Sequence, residues 1–183
     1  MQDPGPPAHS PEALLACLEN AGITVKTTSH AAVFTVEESR ALRGVIDGAH
    51  TKNLFLKDKK DKLFLVTALE SARINLKTLH LLIGATGRLS FANAELLMRH
   101  WGVEPGSVTP FGAINDREGK VTVILDQAMM RLELLNFHPL TNTMSTAIRS
   151  ADLLRFLGST GHQPRVIAAS EADPANNTAS CGC

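Results

Sequence analysis

Apolar and polar positions alternate along the chain with two different periods, and the changes of period divide it into short helices and strands. Ser10-Pro11-Glu12 offers an N-cap, a first-turn proline and a first-turn acid, and Leu14, Leu15 and Leu18 follow at helical spacing before Gly22. Ile23 to Ser29 mixes β-branched with polar residues and predicts a strand. Thr35-Val36-Glu37-Glu38 has capping-box spacing and predicts a short helix to Arg43. Gly44 to Asp58 reads as extended. Its firmest part, Lys52 to Lys57, meets a polar turn, Asp58-Lys59-Lys60-Asp61, and a returning strand, Leu63-Phe64-Leu65-Val66, which together make a β-hairpin. Asn75 to Ile83 is helical up to Gly84, and Asn93 caps a second helix, Ala94 to Trp101, that Gly102 ends. Val121 to Leu125 is a strand, while Gln127 to Leu134 fits either a short helix or a strand. Phe137-His138-Pro139-Leu140 and Thr143 to Ile148 look extended. Ser150 caps a helix closed by Gly158, and Val166 to Ala168 is a last strand. Scattered strands with short helices between them predict a mixed α/β (α+β) domain.

One stretch stands apart from both periods. Gly106-Ser107-Val108-Thr109-Pro110-Phe111-Gly112 reads as a glycine-bounded loop that passes into an apolar strand segment through Ile114-Asn115-Asp116. Its glycines allow close approach to bare main chain. The local N–H groups, with the Ser107 and Thr109 hydroxyls, could bind a carbonyl or phosphate oxygen. An ordinary strand-entry turn is the other reading.

Composition narrows the function classes. A chain of 183 residues with 44% hydrophobic residues can bury a core, so one globular domain is expected. Residues 10–169 would form it, with a loose leader at 1–9 and a small, polar, disordered tail at 170–183. Basic and acidic residues balance at 18 each, so nucleic-acid contact requires a local basic patch and not bulk charge. Lys57, Lys59, Lys60 and Lys62 form a dense basic group around the hairpin turn. These lysines either shield the hairpin tip or contact phosphates. No run nears membrane-spanning length, no secretion signal is evident, and Cys17, Cys181 and Cys183 make no disulfide framework, so a cytoplasmic location is expected.

Candidate chemistry is sparse. Lys52 and Asn53 open the hairpin on opposite faces, as a surface charge and its neighbour or as a polar cluster with Thr51. His138, between Phe137 and Pro139 and followed by Thr141-Asn142-Thr143, is the best placed histidine for acid, base or hydrogen-bond work, unless a turn merely satisfies it. The other histidines lack paired ligand spacing. No P-loop, dinucleotide fingerprint or nucleophile elbow is present, so no metal and no cofactor are expected.

The clusters taken together do resemble a known family. Lys52-Asn53-Leu54-Phe55-Leu56-Lys57-Asp58, Leu89-Ser90-Phe91-Ala92, the Gly106 to Gly112 loop with Ile114-Asn115-Asp116, and Phe137-His138-Pro139-Leu140-Thr141-Asn142-Thr143 are similar to the YbaK family. This family holds the aminoacyl-tRNA editing domains associated with prolyl-tRNA synthetase. The nearest resemblance is to its free-standing branch (PrdX or ProXp-ala), over roughly Pro11 to Val166. It implies a curved, barrel-like mixed sheet flanked by helices. It also implies hydrolysis of mischarged Ala-tRNA(Pro), with Cys-tRNA(Pro) or a non-catalytic tRNA-binding module as alternatives. By the same resemblance Gly106 and Pro110 belong to a G-x-x-x-P loop whose main chain, from Ser107 through Val108, Thr109, Phe111 and Gly112, lines the aminoacyl site. Lys52 would hold the terminal adenosine and its phosphate, with Asn53, His138 and Asn142 as further site residues. The implied partner is the acceptor end of tRNA(Pro), with transient contact to prolyl-tRNA synthetase or an elongation factor.

Overall fold

The computed structural model describes residues 8–32 and 46–171, so the helix expected from Thr35 to Arg43 lies outside the described residues. Helix α1, Pro11–Asn20, starts as its cap signal demands, with the Ser10 hydroxyl accepting from Ala13 N. Strand β1, Lys26–Ser29, begins later than expected, and β2, Ala49–Lys57, and β3, Leu63–Leu69, form the hairpin. Helices α2, Leu76–Ile83, and α3, Ala94–Trp101, are capped by Asn75 and Asn93 and end on left-handed Gly84 and Gly102, with β4, Ser90–Phe91, between them. A 3-10 helix, Pro110–Ile114, leads to β5, Val121–Asp126. The undecided stretch divides into α4, Gln127–Met130, and the start of β6, Leu134–Phe137. Then come β7, Met144–Arg149, α5, Ser150–Ser159, and β8, Arg165–Ile167.

All eight strands join one mixed sheet in the order β1-β7-β6-β2-β3-β5-β8, with β4 on β2. Its decisive feature is a fork. The same edge of β2 pairs in parallel with β6 at Ala49–Leu135 and His50–Asn136, and antiparallel with β4 at Leu56–Phe91 and Lys57–Ser90. Lys52 and Asn53 occupy the gap between those pairings. Alternation then sends Asn53 and Phe55 toward the larger core, which α1, α3 and α5 cover, and Lys52 toward the face of Leu54 and Leu56, which α2 covers.

Four expectations need correction. The segment after Thr109 is not an extended strand entry: Pro110 takes the first helical position, where its missing N–H is harmless, and the Thr109 hydroxyl accepts from Phe111 N. His138 to Leu140 are not extended, because β6 ends at Phe137 and Leu140 turns the chain at φ +63°. Ser150 is the first residue of α5 and not its cap, since β7 runs straight into the helix and Ser150 N donates to Glu133 O; Gly158 lies inside the helix. His9 and Ser170, expected in the leader and tail, are tied to the body through His9 N to Asn115 Oδ1 and Ser170 N to Asp126 Oδ1.

Candidate functional site

The glycine loop and the His138 turn meet. Gly106 needs its left-handed backbone, at φ +93°, and a Cβ placed there would stand 3.8 Å from Asn142 Nδ2, so the two loops lie side by side. Their floors are fastened by aromatic rings. Phe111, fully buried, packs edge-on against Phe137 at 5.9 Å and against Phe156 at 5.5 Å. Phe137 immediately precedes His138, so the 3-10 helix and the histidine turn share one anchor. Leu140 adds a strained non-glycine conformation to that turn, a state found where surroundings over-determine the backbone.

His138 has a defined proton. Its Nδ1 lies 2.9 Å from Met144 O, and a carbonyl can only accept, so Nδ1 donates and Nε2 keeps its lone pair. Burial, the strongest influence, pulls its pKa below the ordinary histidine value; the Met144 bond opposes this, and the charge of His30 lowers it further. The ring is therefore neutral at neutral pH. His30 stands beside it with ring centroids 6.2 Å apart, its Nδ1 2.8 Å from Ala31 O and its Nε2 2.9 Å from Ser145 Oγ. Sequence reasoning passed over His30, which no ligand spacing singles out; β1 brings it there by pairing with β7, Ser29 opposite Met144.

Lys52 and Asn53 are engaged on opposite faces of β2. The Lys52 ammonium donates to Ala72 O, using one of its three protons, and Thr67 Oγ1 donates to Asn53 Oδ1 at 2.8 Å. Ser107, Thr109, Pro110, Phe111 and Gly112 are buried and Val108 is half-buried. What the loop offers a ligand is thus chiefly main chain around Gly106. Gly112, read from sequence as open to a ligand, is instead covered by the Trp101 indole. At the hairpin tip Lys57 pairs with Asp61 at 2.8 Å and Lys62 sits 5.3 Å from the Phe64 ring centre, while Lys59 and Lys60 are exposed.

Residues 30–156 match the aminoacyl-tRNA editing domain, a span that holds every one of these groups. The chain belongs to that family. The editing domain is 38% identical over 162 residues to prolyl-tRNA synthetase associated domain-containing protein 1 of Bos taurus, covering 84% of this chain and 94% of that protein. It is 31% identical over 157 residues to prolyl-tRNA editing protein ProX of Acetoanaerobium sticklandii, covering 85% and 95%. A crystal structure of a candidate trans-editing enzyme for prolyl tRNA synthetase superposes with a TM-score of 0.67 at 20% identity, covering 89% of this chain and 97% of that one, which is a likeness of fold. The editing domain is an aminoacyl-tRNA deacylase, a hydrolase of carboxylic esters.

Proposed function

We propose that this editing domain acts in trans on Ala-tRNA(Pro), removing alanine that a proline pocket cannot reject. A pocket built for proline loses only about 1–3 kcal/mol when a smaller apolar side chain replaces the right one, so a second, smaller pocket is needed. The observation that carries the reading is the meeting of the Gly106 loop with the turn that carries Asn142 and His138, whose Nδ1 is fixed by Met144 O. In the proposed reaction the terminal adenosine and its phosphate lie on the two remaining Lys52 protons, with Asn53 next along β2. Loop N–H groups other than those of Ser107, Phe111 and Gly112, which already bond locally, receive the developing oxyanion. Water, oriented by the free Nε2 of His138, adds to the ester carbon; the ester C–O bond then breaks, and the proton given up by water goes to the departing ribose oxygen. The 2′- or 3′-hydroxyl of the tRNA can relay that proton, and no covalent enzyme intermediate is required. Lys57, Lys59, Lys60 and Lys62 are proposed phosphate contacts, and prolyl-tRNA synthetase or an elongation factor a proposed transient partner.

The test compares hydrolysis of Ala-, Cys- and Pro-tRNA(Pro) by the purified protein and its Lys52→Ala variant. Rapid loss of the alanyl ester alone, with about 100-fold slower loss for Lys52→Ala, is expected. Cysteinyl preference would move the substrate within the same family. Survival of all three esters would overturn the reading.

A further inference from the structure

The buried groups that this reaction leaves unused converge on one side chain, Trp101. It is fully buried at the end of α3 and touches the glycine loop twice. Its Nε1–H donates to Thr109 O at 2.6 Å, and its ring lies so close over Gly112 that any side chain there would collide with it. The indole thus spans Pro110 and Phe111, gripping the last residue before the 3-10 helix and the third residue within it. The main-chain carbonyl of Trp101 accepts from Asn115 Nδ2 at 3.1 Å, which fastens the far end of the same helix.

Trp101 is itself held from two sides. Phe55 lies 6.0 Å away on β2, on the face of the strand that also carries Asn53. His162 meets the indole edge-on at 5.9 Å. His162 in turn is 5% exposed, with Nε2 3.1 Å from Asp116 Oδ2 and Nδ1 3.0 Å from Thr160 Oγ1. Asp116 also accepts from Lys120 N at 2.9 Å and Val121 N at 2.8 Å, so the pair is anchored to the start of β5. Both His162 and Asp116 are buried and committed to protein partners. Their place in the fold is behind Trp101.

We infer that Trp101 is a positioning residue for deacylation: by holding Thr109 O and covering Gly112 it sets the loop that carries the Gly106 main chain, and so the size of the aminoacyl pocket. The inference rests on the reading of that loop as the aminoacyl site. The indole reaches no substrate atom; it acts through the loop. Without the indole N–H, Thr109 O keeps only the Gly112 N–H of its own turn and the tie from the loop to α3 is lost, so the segment from Gly106 to Thr109 gains freedom, larger esters gain access and alanyl turnover falls. Contact with the tRNA body, made elsewhere, is untouched.

The experiment uses Trp101→Phe and a replacement of the same side chain by benzothienylalanine, which keeps the volume and exchanges the N–H for sulfur. Leu79→Ala, in the separate core under α2, serves as a control for lost stability alone. Two readouts are taken on each: amide hydrogen exchange across residues 107–112, and kcat and KM for alanyl and prolyl esters of tRNA(Pro). For both indole variants, exchange in the loop is expected to quicken about tenfold, as loss of one hydrogen bond implies, with the β2–β3 hairpin unchanged. Alanyl kcat is expected to fall about tenfold with KM within about twofold, and alanyl-over-prolyl discrimination to narrow. Leu79→Ala should keep its discrimination. Benzothienylalanine indistinguishable from wild type in exchange and discrimination would overturn the inference, as would an equal loss of discrimination in Leu79→Ala. If the wild-type protein hydrolyses neither ester, the editing reading falls, and the exchange data alone decide whether the indole sets the loop.

Discussion

The hairpin tip and the glycine loop are both turns full of polar and backbone-permissive residues, yet they are held on opposite plans. The tip carries its own fastener. Asp58, 4% exposed, accepts from Lys60 N and Lys62 N through one oxygen and from Thr86 N through the other, all within 3.0 Å. The glycine loop is held by a ring from another element, with the Thr109 carbonyl and bare Gly112 both committed to Trp101. A turn closed by its own carboxylate takes its shape from bonds to its own main chain and to the neighbouring Thr86. A turn covered by a buried indole adds the rigidity of the core behind it to its own bonds, from Ser107 N to Glu104 O and from Gly112 N to Thr109 O.

The sharpest way to break that contrast is Gly112→Ala. A methyl group there collides with a fully buried ring that Phe55 and His162 hold in place. A stability loss of about 3 kcal/mol is expected by urea unfolding, with alanyl deacylation lost as well. An unchanged unfolding midpoint would mean that the indole yields and the loop stands alone. Asp58→Ala should cost about 2 kcal/mol by removing the buried acceptor of the Lys60, Lys62 and Thr86 N–H groups, while deacylation per folded molecule stays at the wild-type level.

The same carboxylate sharpens the contrast through pH. Burial alone would raise the Asp58 pKa, but the N–H groups of Thr86, Lys60 and Lys62 and the charge of Lys62 hold it below the usual value. A depressed folded pKa means that the folded state binds fewer protons than the unfolded one. The stabilisation is therefore complete above the ordinary carboxylate pKa and fades as pH falls through the folded one. Asp58→Asn should flatten that part of the acid unfolding curve and leave the part due to Asp116, whose pKa is also lowered: burial raises it, and bonds from His162, Val121 N and Lys120 N outweigh the burial. The smallest effect is expected from Lys62→Ala. The slope of tRNA affinity against salt should fall by about 1 if Lys62 meets one phosphate, with kcat unchanged.

The same contrast explains what could be read from sequence. The hairpin, α2 and α3 were legible because their signals are local: Asn75 and Asn93 sit at the caps, Gly84 and Gly102 at the ends, and a polar turn separates two apolar strands. The 3-10 helix was not legible. Gly112 looks like a helix breaker until Trp101 is known to lie over it, and no short window of sequence contains that fact. The residues of the site were named through family resemblance, but their adjacency was hidden. Gly106 and Asn142 meet only because Phe111 and Phe137 pack together, and His30 and His138 only because β1 lies against β7. Asp116 was quoted within the Ile114-Asn115-Asp116 motif, but its pairing with His162 gave no signal, since it exists only once β5 and the end of α5 are placed.

That β1–β7 pairing sets a timetable for the molecule. Lys26 stands opposite Ala147 and Ser29 opposite Met144, so nearly the whole domain must leave the ribosome before β1 can find its neighbour. Pairings so distant in sequence form late. The strand made first is therefore among the last to settle, and His30 reaches His138 only when it does. A nascent chain truncated before β7 would carry Lys52 and the glycine loop and still lack a finished site, because β1 and His30 would have no strand to dock on.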